Sequence, residues 1–158
     1  MPAEPESEVP LRLERFLPYR LSVLTNRVSR ALARRYRERF GLSIPEWRVM
    51  AVLGRQEHLS ASELAERTAM DKVKVSRAVA ALLGKGLVAR ARDASDGRIS
   101  RHRLTHRGRE VYQAIARLAL ELERRWLADL PPTAREELFR MLDRLEAALV
   151  PLERELRD

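Results

Sequence analysis

Eleven basic residues fall between positions 71 and 109: Lys72, Lys74, Arg77, Lys85, Arg90, Arg92, Arg98, Arg101, Arg103, Arg107 and Arg109. Only three acids, Asp71, Asp93 and Asp96, share that stretch, so it carries the whole net charge of +8. Ammonium and guanidinium groups gathered in this way neutralise phosphates and release their counterions. The chemistry they offer is polyanion binding, and nucleic acid is the commonest polyanion such a protein meets. A merely solvated basic face would follow no further pattern. Here the charges fall on one.

Ser60-Ala61-Ser62-Glu63 has the spacing of a capping box, so a helix should open at Ala61 and end near Thr68-Ala69. Asp71 is placed to cap a second helix, running from Lys72 to about Leu83, with Val75, Val79, Leu82 and Leu83 on one apolar stripe. Lys72, Lys74 and Arg77 lie off that stripe, with Ser76 beside them. Two short helices joined by a tight turn, the second apolar behind and basic in front, predict a helix-turn-helix. Its candidate DNA-contact residues are Ser62, Lys72, Lys74, Ser76 and Arg77. Ala69 stands where such turns often carry glycine, so the turn must avoid a left-handed residue or accept strain.

Gly84-Lys85-Gly86 then supplies a helix stop, and Leu87–Arg92 and Ser100–Thr105 read as two short strands. The turn-forming run Asp93 to Arg98 between them makes a basic hairpin, a wing beside the helix-turn-helix. Arg98 at its tip is the candidate for the minor groove, with Asp96 holding it or shaping the turn. Arg101 is a further basic candidate on the same hairpin.

Several short matches in fixed order now resemble the MarR family of bacterial transcription regulators. They are Ser62-Glu63-Leu64-Ala65, Asp71-Lys72 with Val75-Ser76-Arg77, Lys85-Gly86-Leu87-Val88, Asp96-Gly97-Arg98, and Leu104-Thr105 with Gly108. The resemblance implies a mainly α fold: a winged helix-turn-helix core, a small β-hairpin wing and long N- and C-terminal dimerisation helices. It also implies a homodimer on a pseudo-palindromic operator in double-stranded DNA, often released by a small ligand. Effectors in such proteins sit near the helix holding Trp47, so Trp47 and Arg48, with Tyr19, Arg20, Asn26 and Arg27, become candidate ligand residues. The stretch from Leu17 to Gly54 resembles repressors of aromatic-acid breakdown, some of which answer to aromatic acyl-CoA thioesters. Against CoA phosphates, DNA phosphates or only water stands the basic group Arg27, Arg30, Arg34, Arg35, Arg37 and Arg39.

At 158 residues the chain is one domain's worth. Residues 1–10 are acidic and proline-rich and predict a disordered lead-in without the pattern of a signal peptide. Residues 11–158 form a single domain of this type, with 43–109 the winged lobe and 11–42 with 110–158 the dimerisation arm. A first helix should run from about Pro18 to Phe40, with Leu17, Leu21, Leu24, Val28 and Tyr36 on its stripe. Ser43 to Glu46 repeats the capping box and opens a helix to about Arg55. Thr105 should cap a long helix reaching Leu127, and Thr133 with Glu136 a last one. That last helix carries Leu138, Leu142, Leu145, Leu149, Leu152 and Leu156, an a/d seam that a second subunit or the same chain could cover. Pro151 lies within it and should kink it or end its regular part.

The constellations of catalysis are missing: no cysteine, no glycine-rich phosphate loop, no nucleophile elbow. His102, His106 and Glu110 are spaced by four but straddle a strand and a helix start, which argues against a metal site. The expectation is a non-enzymatic cytoplasmic protein with no cofactor, and no apolar run approaches the ~20 residues that span a bilayer. A constitutive or architectural DNA-binding protein without a sensor is the other reading left open.

Overall fold

The computed structural model describes residues 10–156; the expected disordered lead-in, Pro10 apart, lies outside the described residues. Among these the fold is mainly helical. A 3-10 turn at Leu13–Arg15 leads into α1 (Leu17–Phe40), followed by α2 (Ile44–Arg55), α3 (Ala61–Thr68) and α4 (Lys72–Gly84). The strands β1 (Val88–Arg92) and β2 (Ser100–Leu104) come next, then α5 (His106–Trp126) and α6 (Pro132–Glu155). The chain parts into two compact units between Ala116 and Arg117.

In the first unit, α2, α3 and α4 pack on one another, and the hairpin closes the group. Both capping boxes form. Glu46 N–H donates to Ser43 Oγ at 3.4 Å and Ser43 N–H to Glu46 Oε2 at 3.0 Å. The pair Ser60 and Glu63 repeats this at 3.3 and 2.8 Å. Each box thereby satisfies the N–H of the N-cap and that of the residue three positions on. The turn between α3 and α4 accepts strain: Ala69 takes φ +51°, a left-handed conformation that costs a residue with a Cβ about 1–2 kcal/mol.

β1 and β2 pair antiparallel from Val88 opposite Leu104 to Arg92 opposite Ser100. Leu59, between α2 and α3, adds a bridge to His102 through two backbone hydrogen bonds of 3.2 and 2.9 Å. The hairpin base is therefore stitched to the helices. The core lies at this junction: Leu42, Val49, Met50, Leu53, Leu59, Leu64, Val75, Val79, Leu82, Leu87, Val88, Leu104 and Ile115 are all buried. The start of α5 enters it at two glycines. A Cβ on Gly108 would stand 1.9 Å from Leu87 O, and one on Gly54 of α2 would stand 2.5 Å from the Tyr112 ring. Thr105 caps α5 as expected, accepting from Gly108 N–H at 2.9 Å while its hydroxyl donates to Gly86 O at 2.8 Å.

The apolar stripe of α1 is buried only at Tyr36; Leu17, Leu21 and Leu24 are exposed. In the second unit α6 buries no residue at all. Leu142, Leu145, Leu149, Leu152 and Leu156 of its seam are exposed, and Leu138 is half-buried. Two expectations need correction here. The Thr133–Glu136 capping box does not form, because the helix opens two residues earlier: Pro131 is its N-cap, with no side-chain hydrogen bond, and Pro132 its first residue. Proline's fixed φ and missing N–H suit that first position, which leaves Thr133 inside the first turn. Of the two outcomes expected at Pro151, ending the helix does not occur, since α6 continues past it to Glu155.

Candidate nucleic-acid interface

The candidate recognition surface is built on the N-terminus of α4. Asp71 accepts the Lys74 N–H at 2.8 Å, and the Lys74 ammonium lies 3.1 Å from the same carboxylate. Those two contacts, the backbone one first, hold the Asp71 carboxyl below its ordinary range. Val75, Ala78, Val79 and Leu82 turn inward, which leaves Lys72, Val73, Lys74, Ser76 and Arg77 exposed on the opposite face. Ser62, in the first turn of α3, is exposed as well. The sequence pattern does not single out Val73, yet it is 59% exposed between two lysines. Its apolar, off-stripe position is the signal, since an exposed methyl group on a groove-reading helix can meet a thymine methyl.

The wing is organised by one carboxylate. Asp93 Oδ1 accepts Ser95 N–H at 2.8 Å, the Ser95 hydroxyl at 2.5 Å and Asp96 N–H at 3.1 Å. Asp93 N–H donates to Ile99 O, and Ile99 N–H to Asp96 O, both at 2.9 Å. Asp96 accepts the backbone N–H of Arg98 at 3.0 Å, so it shapes the turn and leaves the guanidinium unengaged by it. Arg98 is exposed and forms no ion pair with another described residue.

Arg101 is placed differently. Its Nε donates to Asp93 Oδ2 at 2.5 Å and its Nη1 to Glu63 Oε2 at 2.6 Å and to His58 O at 3.3 Å. The Ser95 hydroxyl first, and then Arg101, hold Asp93 far below the usual carboxylate range. Glu63 is lowered too, by its hydrogen bonds with Ser60 and then by the Arg101 charge. Three more cations of the basic stretch are engaged within the protein. Lys74 pairs with Asp71, Lys85 reaches Glu46 at 2.7 Å and Gly41 O at 2.8 Å, and Arg109 pairs with Glu57. Lys72, Arg77, Arg90, Arg92, Arg98, Arg103 and Arg107 are exposed and carry no ion pair among the described residues. These supply the outward field.

The candidate ligand residues do not form one cluster. Tyr19, Arg20 and Arg27 line a groove of about 320 Å³ with Glu14, Val23 and Leu24. Asn26 is exposed but outside that lining. Trp47 packs instead against Tyr36, ring centres 5.3 Å apart, and Arg48 is exposed on α2. Tyr36 lies about 25 Å along α1 from Tyr19, at ~1.5 Å per residue. His102 is buried with Nδ1 3.0 Å from Leu59 O, while His106 approaches Glu110 at 3.8 Å. Among the described residues no group of three or more His, Cys, Asp or Glu is placed to hold a metal ion. Nor, among them, is any helix long and apolar enough to cross a membrane.

A basic helix-turn-helix with a hairpin wing is the architecture of a DNA-binding regulator, and the comparisons with known proteins agree. The MarR family profile matches residues 40–99. The HTH-type transcriptional repressor Rv2887 of Mycobacterium tuberculosis is 31% identical over 131 residues, covering 82% of this chain and 91% of that one. Among solved structures, a MarR/EmrR family transcriptional regulator from Acinetobacter sp. ADP1 superposes with a TM-score of 0.81 at 25% identity, covering 88% and 98% of the two chains. The MarR family regulator SPO1453 of Silicibacter pomeroyi gives 0.72 at 31% identity, covering 86% and 99%. The chain belongs to the MarR family of DNA-binding, winged helix-turn-helix transcription regulators.

Proposed function

We propose that the protein is a homodimeric repressor that binds a pseudo-palindromic operator in double-stranded DNA and is released by a small effector. The observation that carries this reading is the outward face of α4, where Lys72, Lys74, Ser76 and Arg77 stand exposed beside a wing whose tip presents Arg98. In this reading α4 enters the major groove, Ser62 contacts the backbone at the edge of the same groove, and Arg98 enters the adjacent minor groove. Residues 43–109 act as the reading lobe, and 11–42 with 110–158 as the dimerisation arm. The exposed leucines of α6 and of the start of α1 support a partner chain, since single exposed apolar residues are ordinary but a continuous seam is not. Two lobes held about one DNA turn apart, ~34 Å, would meet successive major grooves. Such a protein works in the cytoplasm, where the chromosome lies.

For the effector, Tyr19, Arg20 and Arg27 combine an aromatic ring with two cations beside the apolar Val23 and Leu24. That chemistry suits an aromatic carboxylate or its CoA thioester. The second reading is a DNA-binding protein with no sensor.

The test is a fluorescence titration on an inverted repeat from upstream of the protein's own gene and on a shuffled duplex. Arg77→Ala should cost about 1–3 kcal/mol on the repeat and less on the shuffled duplex. Equal loss on both would reassign Arg77 to phosphate contact. Aromatic acids and their CoA thioesters are then added; weakened operator binding by any of them supports release. No effect across the panel favours the protein without a sensor.

A further inference from the structure

We propose that Arg101 is the positioning residue that fastens the wing to the helix-turn-helix, so that Arg98 meets DNA only where Arg101 holds it. The inference rests on the reading of Arg98 as a minor-groove contact. One guanidinium joins the hairpin to a segment about forty residues earlier in sequence. Its Nε is bonded to Asp93 at the root of the wing loop, and its Nη1 to Glu63 in the first turn of α3 and to the His58 carbonyl before it. Asp93 divides its two oxygens. Oδ2 receives Arg101, whereas Oδ1 builds the loop through Ser95 and Asp96, two residues before Arg98. Glu63 belongs to the capping box of α3, so the far end of the clamp is anchored in the helix-turn-helix itself. A planar fork with several fixed donors suits this junction; a lysine ammonium reaches acceptors as a point charge and does not reproduce the fork. With two carboxylates against it and 29% of its side chain exposed, Arg101 is neutralised from within and has little charge left for phosphate.

The same cation on the same hairpin could instead be a direct phosphate contact, and Asp93→Asn separates the two roles by sign. Asparagine keeps an oxygen for Ser95 and Asp96, so the loop stays built, but turns an amide nitrogen toward the Arg101 donor and breaks the clamp. Were Arg101 a phosphate ligand, removing the neighbouring negative charge would leave binding unchanged or tighter. As a clamp, its loss should weaken binding.

Operator affinity is measured for wild type, Arg98→Ala, Arg101→Ala, Arg101→Lys, Asp93→Asn and the double variant Asp93→Asn/Arg98→Ala. Expected is a loss of about tenfold for Arg98→Ala, Arg101→Ala and Asp93→Asn alike, with the double variant no weaker than Arg98→Ala alone. Arg101→Lys should fail to restore wild-type affinity. If Arg101→Ala does not fold, Asp93→Asn and its double variant decide. Wild-type or tighter binding by Asp93→Asn, losses that multiply with Arg98→Ala, or full activity of Arg101→Lys would each overturn the clamp while leaving Arg98 at the groove. No effect of Arg98→Ala itself would remove the wing reading, and the clamp's role in DNA binding with it.

Discussion

α4 and α6 are both amphipathic helices with an apolar residue every three or four positions, yet they end in opposite states. Val75, Val79 and Leu82 of α4 are buried between α2, α3 and the hairpin, whereas α6 has no buried residue and exposes Leu142, Leu145, Leu149 and Leu152. The pattern of apolar positions dictates which face a helix hides. What covers that face is decided by neighbours. For α4 these arrive from within forty residues of sequence; for α6 none of the described residues buries the seam, and a second chain covers it only in the proposed reading. Each leucine covered there gains about 1.5–3 kcal/mol, the same term that holds the lobe together.

The largest expected effect breaks the second half of that contrast. Charges at Leu145→Glu with Leu149→Glu should turn dimer into monomer and abolish operator binding, because two half-sites bound independently lose the linked affinity. The lobe should still melt cooperatively. Sedimentation of a soluble double variant that remains dimeric would show that the seam is not the subunit interface.

The next effect tests the closed half. Gly108→Ala sets a methyl group 1.9 Å from the Leu87 carbonyl oxygen, so backbone must shift to admit it. A loss of about 3 kcal/mol in unfolding free energy is expected, at the top of the usual range for overpacking. Gly84→Ala, at the end of α4 with nothing within 4 Å, should instead be neutral or gain up to about 1 kcal/mol. Urea titration of the two variants gives the difference directly. Equal stabilities would mean that α5 does not approach Leu87 so closely.

Much of the lobe was legible in the sequence because its signals are local. Ser43 with Glu46, Ser60 with Glu63, Asp71 before Lys72 and the run Asp93 to Arg98 each form contacts within a few residues. What was not legible is long-range. Lys85 and Arg101 count as two charges of the basic stretch, but each is spent on the glutamate of a capping box thirty-nine and thirty-eight residues away. A capping glutamate retains acceptor capacity, which is the only hint the chain offers. The candidate ligand residues failed to converge for a related reason. Tyr19 and Trp47 both lie on helices, and helix spacing says nothing of which distant ring Trp47 meets. The Thr133–Glu136 box failed on a local competitor, since Pro132 starts the helix first.

A smaller effect is expected at the α3–α4 turn. Ala69 carries φ +51°. Ala69→Gly relieves that strain of about 1–2 kcal/mol but loosens the unfolded chain by about 0.4–1 kcal/mol. A net gain of about 0.5–1 kcal/mol should appear as a higher melting temperature without change in operator affinity. A destabilised glycine variant would mean that the alanine methyl packs usefully.

The smallest effect is confined to one range of pH and belongs to the joint between the two halves of the lobe. His102 is buried on β2, and its Nδ1 donates to Leu59 O at 3.0 Å when that nitrogen carries the ring proton. Burial, with the Arg90 charge opposite it in the hairpin, holds the imidazole below its ordinary value of 6.5, against the opposing pull of the Leu59 carbonyl. The unfolded chain therefore takes up a proton near pH 6.5 where the fold resists it. Below that pH the unfolded state binds more protons, so unfolding becomes easier as pH falls and levels off only below the folded value. At neutral pH and above, both states are neutral and the contribution is constant. Glu63, Asp71 and Asp93 are all held below their ordinary values of 4.5, 3.8 and 3.8, so their losses begin only in stronger acid. The window from pH 7 to 5 thus isolates His102 from them. Urea unfolding of wild type should weaken modestly across it. His102→Gln, which can still donate to Leu59 O but does not titrate, should show a flatter profile at some cost in packing. Profiles of equal slope in the two proteins would place the titrating group elsewhere and leave the Leu59–His102 bridge indifferent to pH.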